Sequence, residues 1–286
     1  MPRLSTSSWS LHRALGRPPL TGPEDPAPAG PMPGAELPLV DLPGRLAQMG
    51  IFTLEIVHFH LPSLATSYLE SLRAALAAAQ VELFSVLIDA GDITRPDPVQ
   101  LHQEFAWIES WIDVAAVLGA SHVRVAAGHT PVEPGPEDLR NHPVLQRSAT
   151  GLRHLANYAR SLGVRLLTEN FGETASRAEQ VLALLDLCQG EVGLCVDFGN
   201  FVGPDRYDQL AAIFPRADSA HVKALYDGDG RPLRGELQRT LGMLMDTGFD
   251  GPLSLIFDGP LHGGEDEWHN LAMLREIVVG AVPDLR

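Results

Sequence analysis

Eight short apolar runs, each separated from the next by a stretch with helical period, constrain this chain more than any other feature. The first lies within residues 2–9, and IFTLEIVHFH (51–60), VELFSVLIDAG (81–91), SHVRVAAG (121–128) and VRLLTEN (164–170) follow. EVGLCVDF (191–198), ADSAHVKA (217–224) and GPLSLIFD (251–258) complete the set. Runs that are apolar without strict alternation read as strands buried on both faces, and strands alternating with helices make parallel βαβ units. Eight units predict a closed (β/α)8 barrel of the TIM type, one domain over residues 1–286. One interruption stands out. GRPPLTGPEDPAPAGPMPGAELPL, residues 16–39, has no period, and its prolines lack the donor that helix or sheet interiors need. It predicts a long loop after strand 1, either a surface insertion or a cover over the mouth.

Composition narrows the function. The chain is 45% hydrophobic and 20% charged, enough for a sizeable core, and its net charge of −15 opposes nucleic acid and anionic membranes. The expected partner is a small molecule, with a homo-oligomer left open. Cys188 and Cys195 make no disulfide framework, residues 1–10 carry no apolar leader, and no run approaches the ~20 residues that span a bilayer. These features read as a soluble cytoplasmic protein.

In such barrels chemistry sits at the C-terminal ends of the strands. Glu55, His58, His60, Asp89, Asp92, Arg124, His129, Glu169, Asn170, Asp197, Asn200, His221, Lys223 and Asp258 fall there. Glu169, Asp197 and His221 end three successive runs. A buried carboxylate is costly unless paired or bound to a cation, so the three predict a metal site for Mn²⁺, Mg²⁺, Zn²⁺ or Co²⁺, against the alternative of separate salt bridges to Arg165 or Arg216. Lys223 is the single lysine among 21 basic residues. Its retention suggests that a compact ammonium is wanted there. Arg124 suits a carboxylate or phosphate, or a structural ion pair. His58 and His60, two apart on one strand face, read as wall, core or ligand, and Glu55 lies deeper. Asp89 and Asp92 flank Gly91 and read as turn and cap formers. Nucleophile-elbow, P-loop and GxGxxG motifs are absent.

LLTEN, GLCVDFGNF, AHVKA and GFDGPLSL, in that order on consecutive strands, resemble the xylose isomerase-like barrels, the sugar phosphate isomerase/epimerase family. The resemblance implies one divalent ion held by Glu on strand 5, Asp on 6, His on 7 and Glu on 8, hence Glu169, Asp197 and His221. The strand-8 glutamate position holds Ile256, and Asp258 shares its strand parity as a substitute ligand. The implied activity is metal-assisted isomerisation, epimerisation or dehydration of a small sugar or sugar-like polyol carbonyl compound. Glu169 and Lys223 would be catalytic, and Glu55, His58, His60, Arg124, Asn170, Asn200 and Lys223 would line the substrate. Because Ile256 removes one of the family's paired acid/base groups, the rival expectation is a degraded barrel that binds a sugar-like ligand, with weak or no metal. An endonuclease IV-type role is disfavoured by the acidic charge.

Overall fold

A computed structural model describes residues 1–16, 18–19, 21–28, 30, 32–133, 138–261, 266–282 and 285. Its strands are β1 Arg3–Ser7, β2 Thr53–Val57, β3 Glu82–Ile88, β4 His122–Val125, β5 Arg165–Glu169, β6 Gly193–Asp197, β7 Ser219–Lys223 and β8 Pro252–Ile256. The helices are α1 Leu42–Gln48, α2 Thr66–Ala79, α3 Pro98–Leu118, α4 Pro143–Ser161, α5 Ala178–Leu187, α6 Arg206–Ile213, α7 Arg234–Met245 and α8 Glu267–Ala281. All strand pairs are parallel, and β1 pairs with both β2 and β8, so the sheet closes as the alternation predicts. Closure leaves no sheet edge unpaired.

The helices start and stop where the sequence supplies the chemistry. Asp97 caps α3 by accepting from the amides of Val99 and Gln100, Pro98 opens the helix, and Gly119 ends it at φ 81°. Leu54, Ile56, Val86, Ile88, Val123, Val125, Leu166, Leu194, Val196, Ala220, Val222, Leu253 and Leu255 join the apolar layer shared with the helices. Side chains alternate along a strand, so the intervening positions point into the barrel. Those include Ser5, Ser7, Glu55, Ser85, Arg124, Glu169, Cys195, Asp197, His221, Lys223, Ser254 and Ile256. The lumen is therefore unusually polar for a buried space. At mid-barrel, Ser254 donates to Ser5 at 2.8 Å, while the charged groups gather toward the mouth.

Two expectations about strand ends are corrected. His58 and His60 do not continue β2; the strand stops at Val57 and His58–His60 form a 3-10 turn, so the two rings do not share a strand face. β8 stops at Ile256, and Asp258 lies beyond it in coil. Both runs were too long because an apolar run marks burial rather than hydrogen-bonded strand. The start of the final expected helix, residue 265, lies outside the described residues. Among the described residues, the stretch from Gly16 to Pro38 holds neither helix nor strand, and no helix is long and apolar enough to cross a membrane. The loop reaches the mouth: His58 Nε2 donates to the carbonyl of Thr21 at 2.9 Å.

Candidate active site

The ends of β5, β6 and β7 bring Glu169, Asp197 and His221 together, and all three are at most 4% exposed. His221 Nδ1 stands 3.6 Å from Glu169 Oε1 and 3.8 Å from Asp197 Oδ2. Those spacings exceed a good hydrogen bond. The other ring nitrogen, Nε2, lies 3.0 Å from Glu55 Oε2 and donates to it, while Glu55 Oε1 is buried without a hydrogen-bond partner. Glu55 thus faces the lumen and fixes the imidazole, as a carboxylate behind a metal-binding histidine does. Gly199 completes the corner. Its amide donates to Asp197 Oδ1 at 2.6 Å, and a Cβ there would approach Lys223 Cδ to 2.8 Å, so a larger residue would have to push the lysine stem aside.

Arg124, 4% exposed on β4, ties the other side of the site. Its Nε is 2.8 Å from Glu169 Oε2 and its Nη2 is 2.5 Å from Asp89 Oδ1. Neither contact is a well-aligned hydrogen bond, so both are electrostatic pairings in a dry setting. Asn200 donates from Nδ2 to Glu169 Oε1 at 2.9 Å. Lys223 Nζ lies 2.5 Å from Asp258 Oδ2 at the rim, where the two side chains are 26% and 38% exposed.

Electrostatics follow from this packing. Burial would raise the Glu169 carboxyl, but Arg124 and then His221 outweigh it and hold it at about 2. Burial, reinforced by repulsion from Glu169, lifts Asp197 to about 6. Burial would lower His221, yet the acidic groups around it, the Cys195 thiol and the Glu55 and Glu169 carboxyls, raise it well above the usual imidazole value. Burial opposes the charge on Lys223 as well, and Asp197 and Asp258 more than restore it. The raised proton affinity of His221 reflects an excess of acidic groups around the ring, an environment that favours a positive charge there.

A divalent ion fits that demand. Glu169 Oε1 and Asp197 Oδ2 each stand from His221 Nδ1 a few tenths of an ångström beyond the roughly 3–3.5 Å set by metal–donor bonds of ~2.1 Å, so small side-chain rotations would bring the three around an ion. Buried Glu55 Oε1 lacks a hydrogen-bond partner beside them. Glu169 can offer Oε1 while Arg124 keeps Oε2.

The remaining sequence candidates divide. His58 lines the cavity, but its ring is engaged: Nε2 holds Thr21 and Nδ1 accepts from the Asp89 amide at 3.3 Å, and burial lowers its pKa. His60 lies away from the three donors, bonded to Ser8 Oγ at 2.7 Å and His12 Nδ1 at 2.9 Å. Asn170 uses its amide on the backbone of Asp197, accepting from its N–H at 2.8 Å and donating to its carbonyl at 3.0 Å. Asp258 meets Lys223 rather than the three donors. Arg165 and Arg216 pair with Asp218 and Asp186, away from the site. Asp92 accepts from the amides of Thr94 and His129 in its turn, whereas Asp89 joins the Arg124 network. The sequence reading missed Cys195, although its spacing of two from Asp197 puts it on the same strand face.

Arg124, Glu169, Asp197, Asn200, His221 and Lys223 line a cavity of about 310 Å³ at the mouth, walled on its apolar side by Trp9, Val57, Phe59, Leu87, Phe171 and Ile256. Glu55, Asp89, Glu169, Asp197 and Asp258 outnumber Arg124, Lys223 and His221 in and around it.

Structures of similar shape include an L-ribulose 3-epimerase, with TM-score 0.72 and 16% identity over 99% of this chain and 95% of that one. A D-psicose 3-epimerase crystallised in the presence of D-fructose gives TM-score 0.67 and 16% identity over 98% of this chain and 96% of that one. A xylose isomerase-like TIM barrel protein from Mycobacterium smegmatis, in complex with magnesium, gives 0.64 and 17% over 98% and 97%. No curated protein sequence matches significantly. The profile of the xylose isomerase-like TIM barrels matches residues 44–277, most of the eight-unit barrel described above, and the chain belongs to that family.

Proposed function

We propose that this protein is a metal-assisted isomerase, epimerase or dehydratase acting on a small, uncharged sugar-like polyol with a carbonyl group. The observation that carries the reading is the convergence of Glu169 Oε1 and Asp197 Oδ2 on His221 Nδ1 at the floor of the mouth cavity. Glu169, Asp197 and His221 would hold the ion. When bound, it supplies Lewis-acid polarisation of neighbouring carbonyl and hydroxyl oxygens. The epimerases of similar shape support the substrate class, and the excess of carboxylates around the cavity favours an uncharged polyol over a phosphorylated sugar.

The protein's own groups divide the rest of the work. Arg124 keeps Glu169 ionised, which suits a ligand and orienting group better than a base. Asp197, which burial and Glu169 lift to about 6 while no ion is bound, is the carboxylate of the pair that keeps the higher proton affinity in the metal-free site. Lys223 Nζ stands at the rim to offset developing oxyanion charge. Trp9, Phe59 and Phe171 exclude water from one side.

A second reading, a barrel that binds a sugar-like ligand without turnover, is favoured by Ile256, which puts hydrocarbon where the family resemblance implies a glutamate. One experiment separates the two. Incubation with ketoses and inososes in deuterium oxide, with Mn²⁺, Mg²⁺, Zn²⁺ or Co²⁺ and with chelator, should show metal-dependent deuterium entry next to the carbonyl. Ligand binding without exchange under any metal would leave only the second reading.

A further inference from the structure

Cys195 carries a donor to the floor of this site. Its Sγ, a carboxylate oxygen of Glu169 and a ring nitrogen of His221 all lie within 4.8 Å of one another, and the three residues are buried. The register explains the meeting. Glu169 pairs with Cys195 across β5 and β6, while Asp197 pairs with His221 across β6 and β7, so the thiol sits beside Glu169 and one strand repeat beneath Asp197. The plain alternative is a small apolar side chain filling space, and Cys195 does touch Phe84 and Leu167 on one side. Packing alone, however, asks for no cysteine between a carboxylate and an imidazole. On β8 the corresponding strand end offers only the hydrocarbon of Ile256, 5% exposed, and Asp258 beyond it is held by Lys223.

We propose that Cys195 is a metal donor, so that Glu169, Cys195 and His221 form a site selective for a thiophilic divalent ion, Zn²⁺ foremost, over Mg²⁺ and Mn²⁺. This rests on the metal-assisted reading above and sharpens it. Thiolate with imidazole and carboxylate is a soft, mixed donor set, and sulfur is the ligand that Mg²⁺ and Mn²⁺ use least. Three protein donors also leave an open position for water or substrate, as in catalytic zinc sites. With metal–sulfur bonds of ~2.3 Å and metal–nitrogen or –oxygen bonds of ~2.0–2.1 Å, donors stand roughly 3.3–3.8 Å apart, so rotations that close about an ångström assemble the site. Binding releases the thiol proton to solvent and changes no oxidation state. His221 gives its Nε2 proton to Glu55 and keeps Nδ1 for the ion.

The test is optical and needs no substrate. Metal-stripped wild-type protein titrated with Co²⁺ should develop sulfur-to-cobalt charge-transfer absorption in the near ultraviolet along with the visible ligand-field bands. Cys195→Ser should lose the former and keep the latter. Competition titrations should show Zn²⁺ affinity falling at least about 100-fold in Cys195→Ser, the upper end of what loss of an outer partner costs, with Mn²⁺ affinity changing less than about tenfold. Cys195→Ala serves if the serine variant does not fold, and the wild-type spectrum requires no variant. Ligand-field bands without charge transfer, or unchanged Zn²⁺ affinity in the variants, overturn the sulfur donor and leave the metal reading standing. Failure of the wild type to bind Co²⁺ or Zn²⁺ overturns the sulfur donor, and failure to bind Mn²⁺ and Mg²⁺ as well overturns both.

Discussion

Nε of Arg124 lies 2.8 Å from Oε2 of Glu169, so a fixed cation holds one oxygen of the carboxylate whose other oxygen faces His221. A permanent charge on one side and an exchangeable one on the other lets Glu169 remain ionised with or without a metal. The same guanidinium balances Asp89, which makes Arg124 the hinge of the site's charge balance.

Removing that cation should be severe. Arg124→Gln leaves buried Glu169 and partly buried Asp89 without their partner, and breaking a buried pair costs about 3–5 kcal/mol. Urea unfolding of the metal-free protein should show a loss of that order, and saturating divalent ion should recover part of it by neutralising Glu169 from the other side. A loss below about 1 kcal/mol would mean that the pairing is screened in solution.

Asp197 should behave in the opposite sense. Its folded pKa, about 6, lies above its ordinary 3.8, so the folded state binds its proton more tightly than the unfolded chain does. The ionised carboxylate therefore destabilises the metal-free fold above pH 6, and the penalty disappears as pH falls through 6 toward 3.8. Asp197→Asn should stabilise the metal-free protein at pH 8 by about 1–2 kcal/mol, after discounting for its coupling to Glu169, with no gain near pH 4. Glu169, held at about 2, contributes the reverse dependence, stability present above its ordinary 4.5 and lost toward 2. Thermal melts of wild type and Asp197→Asn across pH check this, and a variant less stable at pH 8 would contradict it.

The barrel was legible because its signal is repeated eight times; an error of a few residues at one strand end, as at His58 or Asp258, leaves the alternation intact. Glu169, Asp197 and His221 were legible because each polar residue interrupts an apolar run where burial would otherwise be costly. Partners across the lumen were not. Glu55 and His221 are 166 residues apart, and whether they touch depends on strand register and barrel closure, which no local pattern encodes. Asn170 looked like a ligand-facing amide, but its contacts are to the neighbouring strand's backbone, and nothing in LLTEN distinguishes the two. Cys195 escaped notice because a cysteine inside an apolar run reads equally as hydrocarbon.

Lys223 should separate function from stability. Its partner Asp258 is 38% exposed, so the pair contributes little after solvent screening, about 0–1 kcal/mol. Lys223→Met keeps the stem that covers Gly199 and removes the charge. The variant should melt within a few degrees of wild type while losing at least about tenfold in kcat for deuterium exchange, a ~1.4 kcal/mol loss of transition-state stabilisation. Equal turnover in variant and wild type would remove Lys223 from the catalytic group.

Ile256 offers the sharpest reversal. It lines the cavity at the end of β8, in register with Lys223 on β7, and so occupies the strand end facing the metal donors. Ile256→Glu places a carboxylate there with two consequences of opposite sign. Without metal, the new buried charge should cost about 1–3 kcal/mol, because its surroundings offer few donors. With metal, a fourth anionic donor should raise Mn²⁺ affinity at least tenfold, ~1.4 kcal/mol, and should favour Mn²⁺ relative to Zn²⁺ because oxygen is the harder ligand. Lys223 could intercept the new carboxylate, its register neighbour, and hide the effect. The double variant Ile256→Glu, Lys223→Met removes that competitor, and its Mn²⁺ affinity should exceed that of the single variant. Calorimetric titration of wild type and both variants checks the sequence of affinities; equal Mn²⁺ affinity in all three would show that residue 256 does not face the ion.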